Sequence, residues 1–340
     1  MFRYILSTCL LSILTFSVSF SQTGHIAVEW NEQVLDAIRN DFARPTVHAR
    51  NLMHSSMIMY DCWAAYDTTS SEQYFLGNTI GSFTNVFDFE NFAPNIPSNS
   101  IDKMIAQEVS MSYGVYRLIK HRYMSSPQWS STLLNINAQM ASQGLDTLIV
   151  STDYLNDGPA ALGNYLAEQI IAFGMQDGAN EADDYASTCY TSVNPNILPE
   201  DPGTSGIIDP NRWQPIELSI LIDQSGEVIT EVPPFLGPEW GEVQGFALRD
   251  SNLTHVVVDS CTFKTYYNPG PPVYLDTNVA SSFDESLYKW GFGMVIKWSE
   301  HLDPSDGVMW DISPGSLKYN GETPPVEEFA NFYDWERGGL

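Results

Sequence analysis

Residues 57–66 read Met-Ile-Met-Tyr-Asp-Cys-Trp-Ala-Ala-Tyr, a helical stretch that is apolar nearly all round and carries Asp61 as its only charge. A helix with no polar side to give to water has to be central, with other elements packed about it. The flanking sequence supplies such elements. Trp30, Val34, Ala37, Ile38 and Phe42 recur at helical spacing, and Arg44-Pro45-Thr46 opens the central helix, where a proline loses no hydrogen bond. Ile101, Ile105, Val109, Ser112, Tyr116, Ile119 and Tyr123 form a longer stripe. Ser98 or Ser100 is the expected cap, and Lys120, His121 and Arg122 oppose the dipole at its end. Ser126-Pro127 starts a fourth helix with Trp129, Leu133, Ile136 and Met140 on one face and Gly144 as its stop. Gly158-Pro159 starts a fifth, carrying Leu162, Leu166, Ile170 and Phe173 before Gly174.

The pattern then changes. Residues 190–215 are rich in Pro, Asn, Asp and Gly and read as a long irregular connection. Ile216, Leu218, Ile220 and Ile222 alternate, Asp223-Gln224-Ser225-Gly226 offers a turn, and Val228, Thr230 and Val232 alternate back, which is a hairpin signal. Residues 233–280, punctuated by Pro and Gly, are expected to wrap the helical body. Helical pattern resumes at the capping box Ser282-Phe283-Asp284-Glu285, with Leu287, Trp290, Met294 and Trp298 as the expected buried face. Thr323-Pro324-Pro325 opens one more helix with Phe329 and Phe332. The fold class is therefore mainly α: a helical bundle with a Pro/Gly-rich insertion that contains a β-hairpin. Its parts are a signal peptide at 1–21, an N-terminal bundle at 22–190, the insertion at 191–281, and the start of a second helical region at 282–340, apparently cut short.

Arg3, the apolar run Tyr4–Phe20 and the small residues Ser19 and Ser21 before Gln22 have the layout of a secretory signal, too short for a spanning helix. Export to the periplasm or exterior, with cleavage before Gln22, is the expectation. The chain holds 15 Lys and Arg against 42 Asp and Glu, a net charge of −27 that becomes −28 once Arg3 leaves with the signal. Nucleic acid and anionic membrane surfaces are thereby poor partners, since both demand a basic face. Aromatics at 13% supply the burial capacity that disordered chains lack. Beyond the signal stand Cys62, Cys189 and Cys261, too few for a disulfide scaffold. Cys62 reads as a buried small hydrophobe, and a Cys189–Cys261 bridge stays open.

The densest polar constellation lies on the second helix. Arg44 and His48 are four residues apart on one face, and Arg50, Asn51 and His54 follow within two turns. Arg44, His48 and Arg50 beside a helix N-terminus are candidates for holding an oxyanion such as phosphate or vanadate, or else they pair with some of the many acids. Asp61 must be hydrogen-bonded or paired if it is buried; His54, a tyrosine or an arginine could serve. Asp177, Asn180, Asp183 and Asp184 concentrate oxygen ligands in one loop, so calcium is a candidate there, although the loop lacks EF-hand spacing and also reads as a solvated acidic loop. No Gly-rich phosphate loop, GxSxG elbow or HExxH pair occurs.

Trp30-Asn31, the block Ala43-Arg44-Pro45-Thr46-Val47-His48-Ala49-Arg50-Asn51-Leu52, Tyr60-Asp61 and Ala64-Ala65-Tyr66-Asp67 resemble the N-terminal helices of secreted bacterial vanadium-dependent haloperoxidase-related proteins, members of the type 2 phosphatidic acid phosphatase superfamily. Arg212-Trp213-Gln214-Pro215, Phe235-Leu236-Gly237-Pro238-Glu239-Trp240-Gly241 and Phe246-Ala247-Leu248 are similar to a second block of that group. The resemblance implies a vanadate cofactor in a full-length parent, held by a Lys-x6-Arg-Pro element, a Pro-Ser-Gly-His element and a Ser-Arg element followed by a histidine. None of these elements is present here, and Arg44-Pro45 has no lysine before it. No catalytic residue carries over, and this chain alone is expected to bind no cofactor and to be inactive. The resemblance thus implies the N-terminal half of a halide-oxidising protein whose partner is its own missing C-terminal half. The alternatives are a non-enzymatic secreted helical module and the N-terminal half of a related acid phosphatase, and a homo-oligomer is a further candidate partner for this chain.

Overall fold

The computed structural model describes residues 25–67 and 72–200, then 206–299 with short breaks, and 304–307. The signal segment, the Ser282–Glu285 capping box and the helix expected after Thr323 lie outside the described residues. What is described is mainly α, as expected. The helices are α1 (Ile26–Arg39), α2 (Pro45–Ala64), the single turn α3 (Phe89–Phe92), α4 (Ser100–Tyr123), α5 (Trp129–Ser142), α6 (Gly158–Gly174) and α7 (Leu287–Ser299). Three two-stranded antiparallel hairpins accompany them: β1 (Thr79–Ile80) with β2 (Phe83–Thr84), β3 (Leu221–Ile222) with β4 (Val228–Ile229), and β5 (Thr254–Val258) with β6 (Cys261–Thr265).

Two compact units divide the described chain. One joins the residues up to Tyr190 with Leu218–Tyr266; the other holds Thr191–Glu217 and the chain from Tyr267 onward. The division cuts through the 191–281 segment that the sequence suggests is one insertion.

In the first unit, the apolar stripes of α1, α2, α4, α5 and α6 meet in one core around Trp30, Tyr66, Tyr113, Tyr116, Tyr123, Phe75 and Phe173. Two polar groups inside it are matched. The Trp30 indole donates to Ser112 Oγ at 2.9 Å, and the Asn51 amide donates to Tyr123 Oη at 3.2 Å. The closest helix crossing is made by glycines on α4 and α6. A Cβ on Gly163 would fall inside van der Waals contact of the Ser110 carbonyl oxygen and 2.9 Å from the Gly114 nitrogen. Neither glycine has a positive φ, so both are needed for closeness and not for conformation.

Asp61 explains how an all-apolar helix tolerates a charge. Its fully buried carboxylate accepts the backbone N–H groups of Tyr74, Phe75 and Leu76, each at 2.7 Å. Burial pushes its pKa up, and the three amides oppose that rise. The partner is thus the backbone of the following loop, in place of His54, a tyrosine or an arginine. Several other expectations need correction. The cap of α4 is Asn99, whose side chain accepts from Asp102 N, because it stands one position closer to the first turn than Ser98 and Ser100 is already helical. Ile101 and Ile105 are 66% and 49% exposed, so the buried stripe of α4 begins a turn later. Phe42 lies beyond α1 and is also exposed. On α7, Leu287 is exposed together with Phe292, Val295 and Ile296.

Around the helices of the same unit, the segment after α6 is fastened twice. Cys189 is disulfide-bonded to Cys261. The Glu239 carboxylate accepts from Thr188 N, Thr188 Oγ1, Cys189 N and Tyr190 N at 2.6–3.0 Å. Those hydrogen bonds outweigh desolvation and bring the Glu239 pKa down to about 2. The hairpin of β5 and β6 turns through Asp259 and Ser260, both with positive φ, the backbone of a tight two-residue turn. In the second unit, Asn194 organises the irregular chain: its side chain accepts from Ile208 N and Asp209 N and donates to the carbonyls of Asp209 and Arg212.

Two outcomes are expected. Gly163→Ala forces α4 and α6 apart and lowers stability by about 1–3 kcal/mol, the usual range for overpacking, read as a shifted denaturant midpoint with unchanged slope. In native-state hydrogen exchange, the α2 amides from Met57 to Ala64 are the slowest and those of α7 the fastest among the described helices.

Candidate functional site

The strongest concentration of buried charge in the described residues lies where α2 and α4 meet the loop after α6. Three sequence facts build it. Arg50, Asn51 and His54 share the inward face of α2, Arg122 ends the buried face of α4 beside His121, and Asp177, Glu181 and Asp184 follow one another on the loop after Gly174. Arg50 donates Nε to Asp177 Oδ2 at 2.6 Å, and Nη2 to Glu181 Oε2 at 2.7 Å and to the Gly174 carbonyl at 2.8 Å. Arg122 Nε stands 2.7 Å from Glu181 Oε1, a charge contact and not an aligned hydrogen bond. The same guanidinium donates Nη1 to Asn51 Oδ1 at 2.6 Å and meets His54 Nδ1 through Nη2 at 3.0 Å. His121 Nε2 completes the surround of Glu181 Oε1 at 3.2 Å.

Gly174 is glycine for the sake of this cluster. A Cβ there would stand 2.5 Å from Arg122 Nη2 and 2.6 Å from Arg50 Nη2. The loop itself is bent through three non-glycine residues in the left-handed region, Asn180, Asp184 and Tyr185, which persist because the ion pairs over-determine them. The Tyr185 ring lies 5.8 Å from both the Arg44 and the Arg50 guanidinium carbons.

The electrostatics follow from burial and partners. Burial pushes Glu181 up, but the His121 hydrogen bond and the charges of Arg122 and Arg50 outweigh it and bring its pKa down to about 2. Desolvation, with Arg122 and Arg50 close by, holds His54 well below its ordinary value, so the imidazole is neutral. Desolvation also lowers Arg50, yet Asp177 and Glu181 raise it further than burial brings it down.

The oxyanion candidates Arg44, His48 and Arg50 do not converge. Arg44 faces the other way along the loop and grips Asp184 through both terminal nitrogens, at 2.6 and 3.2 Å. His48 Nε2 is bound to the Phe42 carbonyl at 2.8 Å. These three residues, each engaged in a different direction, do not fit a shared vanadate. Of the calcium candidates, Asp177 and Asp184 meet arginines, the Asn180 amide donates to the Ala186 carbonyl, and Asp183 is exposed. Among the described residues, no group of three or more His, Cys, Asp or Glu is placed to hold a metal ion. The residues that do converge, Arg50, Arg122, His54, His121 and Glu181, were only partly legible. Arg50 and His54 share a face by spacing, but Arg50 and Glu181 are 131 residues apart and nothing local links them.

Of the second resembling block, Trp240 meets this loop, its ring 6.4 Å from that of Tyr185, and the chain just after it follows. Gln244 N donates to the Asp177 carbonyl at 2.7 Å, and the Phe246 ring packs against Tyr74 at 5.3 Å.

The chain matches no protein-family model. Curated proteins likewise give no match. Among solved structures, the crystal structure of a holo-type bacterial vanadium-dependent chloroperoxidase is similar over 50% of this chain and 32% of its own, with 19% identity and a TM-score of 0.36. The apo-type crystal structure of a bacterial vanadium-dependent chloroperoxidase is similar over 74% of this chain and 48% of its own, with 14% identity and a TM-score of 0.43. The chain thus spans between about a third and a half of the length of these structures.

Acid is expected to destabilise the protein in two steps. Unfolded His54 takes a proton below its ordinary 6.5 while the folded imidazole resists it, so stability declines as pH falls through that value. Glu181 and Glu239, each near 2 when folded against an ordinary 4.5, contribute stability that is complete above 4.5 and is lost between 4.5 and about 2. Urea midpoints measured from pH 8 to 3 check this, and Glu181→Gln should shrink the lower step to the share of Glu239 while leaving the upper one.

Proposed function

We propose that this chain is the helical N-terminal part of an exported, vanadium-dependent haloperoxidase-like protein. Halide oxidation by peroxide would reside in elements that these 340 residues do not carry. One observation carries the reading: the block Ala43–Leu52, on which the sequence resemblance rests, forms the buried junction of α2. There Arg50 and Asn51 tie α4 and the loop after α6 together. Its role in this chain is to build a scaffold, which agrees with a family block that holds no catalytic element. A C-terminal half of the same protein is the partner this reading calls for, and vanadate is the cofactor of that larger assembly. In the folded chain, Arg44, Arg50 and Arg122 stand against carboxylates of the chain itself.

A second reading has an observation of its own. Arg44, Arg50 and Arg122 each face an acid, which is what a non-enzymatic secreted helical module requires to fold. The N-terminal half of a related acid phosphatase shares the same scaffold argument.

The 340-residue product, purified and supplied with orthovanadate, hydrogen peroxide and bromide, is expected to brominate a phenolic dye no faster than vanadate alone. Protein-dependent bromination would overturn the reading and place vanadate among residues of this chain. The gene separates the two readings: an open frame past codon 340 that runs into Lys-x6-Arg-Pro and Pro-Ser-Gly-His elements supports the first, and an immediate stop codon supports the second. Mass spectrometry of the product from an exporting host should find Gln22 at the N-terminus.

A further inference from the structure

The surround of Glu181 has more donors than its carboxylate uses. Arg50 reaches Glu181 Oε2 through Nη2 alone, while Arg122 Nε and His121 Nε2 both address Oε1. Arg50 Nη1, the other nitrogen of the same terminal pair, is buried with no hydrogen-bond partner, and the Arg50 side chain is only 2% exposed. In a planar guanidinium the two terminal nitrogens form one edge, so an anion seated on Nη2 lies beside Nη1. His54 Nε2 is a second buried donor without a hydrogen-bond partner, 3.6 Å from Asp177 Oδ2. A carboxylate offers two oxygens in one plane and leaves that edge half filled. A tetrahedral oxyanion, with oxygens in three dimensions, fills both nitrogens of the Arg50 edge and keeps a further oxygen for Arg122 and His121. The space for it is the one the Glu181 carboxylate now fills, since the two guanidiniums already press on Gly174 too closely for a Cβ.

We propose that Arg50, Arg122 and His121 form a binding site for a tetrahedral oxyanion, and that Glu181 is its built-in competitor, seated there while the loop after α6 is closed. Glu181 arrives on the loop bent through left-handed Asn180, Asp184 and Tyr185, so its departure releases backbone strain while removing a charge contact. His121 is 37% exposed while Glu181, Arg50 and Arg122 are 8%, 2% and 0%, so a dissolved anion enters from the His121 side as Glu181 leaves. The site is independent of the proposed haloperoxidase relationship, and its test does not use activity.

Glu181→Gln removes the competing charge while keeping the side-chain shape. Its thermal midpoint should rise by about 4 °C or more in 20 mM inorganic phosphate relative to sodium chloride of the same ionic strength, as linkage requires of an anion that binds only the folded state. Sulfate should act in the same way. The wild-type midpoint should move less than half as far, since Glu181 holds the site. Phosphate titrated calorimetrically into both proteins at 25 °C should bind Glu181→Gln at least about tenfold more tightly, a readout that does not depend on melting. Arg50→Lys in the Glu181→Gln background keeps a charge but loses the two-nitrogen edge, and the phosphate response should fall away. Equal midpoints for Glu181→Gln in phosphate and chloride, with no heat of binding, would overturn the proposal and leave an ion pair that serves the fold alone. Equal phosphate responses in wild type and variant would overturn the competitor role. If Glu181→Gln does not fold in chloride, Glu181→Asp provides the same comparison, its shorter carboxylate being easier to displace.

Discussion

Two guanidiniums from different helices are taken out of water at one place, and the first unit depends on how that is compensated. Arg50 and Arg122 are almost wholly buried, and one loop brings both Asp177 and Glu181 to them. Breaking a buried pair by removing one member costs about 3–5 kcal/mol, because the remaining charge has neither water nor partner. Three helices and a loop converge on this place: α2 gives Arg50, α4 gives Arg122, α6 ends at Gly174 and the loop closes the set. An apolar substitute would lock the helices with less expense of desolvation but without direction. The charges fix which end of α2 faces which end of α4.

The same logic operates at smaller scale across the unit. Asp61 gathers three amides of the 74–76 loop, and Glu239 gathers three amides and a hydroxyl at 188–190. In each case, a carboxylate from one segment orders the backbone of another that has no regular secondary structure of its own. A chain with 42 acids and 15 basic residues has too few cations to pair with, and here backbone N–H groups take up part of the difference. Acidity in this protein is partly a method of holding loops.

The helices were legible because periodicity is local. Pro45, Gly158 and Gly144 mark ends that the structure repeats within a residue or so, and Leu162, Leu166, Ile170 and Phe173 all lie inside. Exposed apolar residues misled where a stripe continued past its neighbours: Ile101 and Ile105 keep the α4 spacing after the core has ended, and Leu287 keeps that of α7. The β5–β6 hairpin was hidden by its turn, since Asp259-Ser260 lacks the Asn-Gly or Asp-Gly signal, although Val256-Val257-Val258 before it has strong strand propensity. For the charged cluster the acids and bases could be seen, but not their pairing. The contact between Arg50 and Glu181 is created by tertiary structure, and a sequence with so many acids offers each arginine too many partners to choose among.

The fastening at residues 188–190 bears on how the disulfide finds its mate. Of the cysteines in the described chain, Cys62 has no solvent-exposed surface on the inner side of α2, and burial raises its thiol far above the range where thiolate forms. Once α2 is packed, that sulfur is out of the contest. Glu239 meanwhile binds the amide of Cys189 itself, and Gly241 lies so close to the Lys264 carbonyl that no side chain fits between them. The strand that begins at Cys261 is therefore brought to the same neighbourhood by contacts that involve no sulfur. The two sulfurs are held opposite each other by contacts on both sides as well as by their own bond. Among the three cysteines of the described chain, the pairing is thus selected by what surrounds each sulfur and not by the thiols.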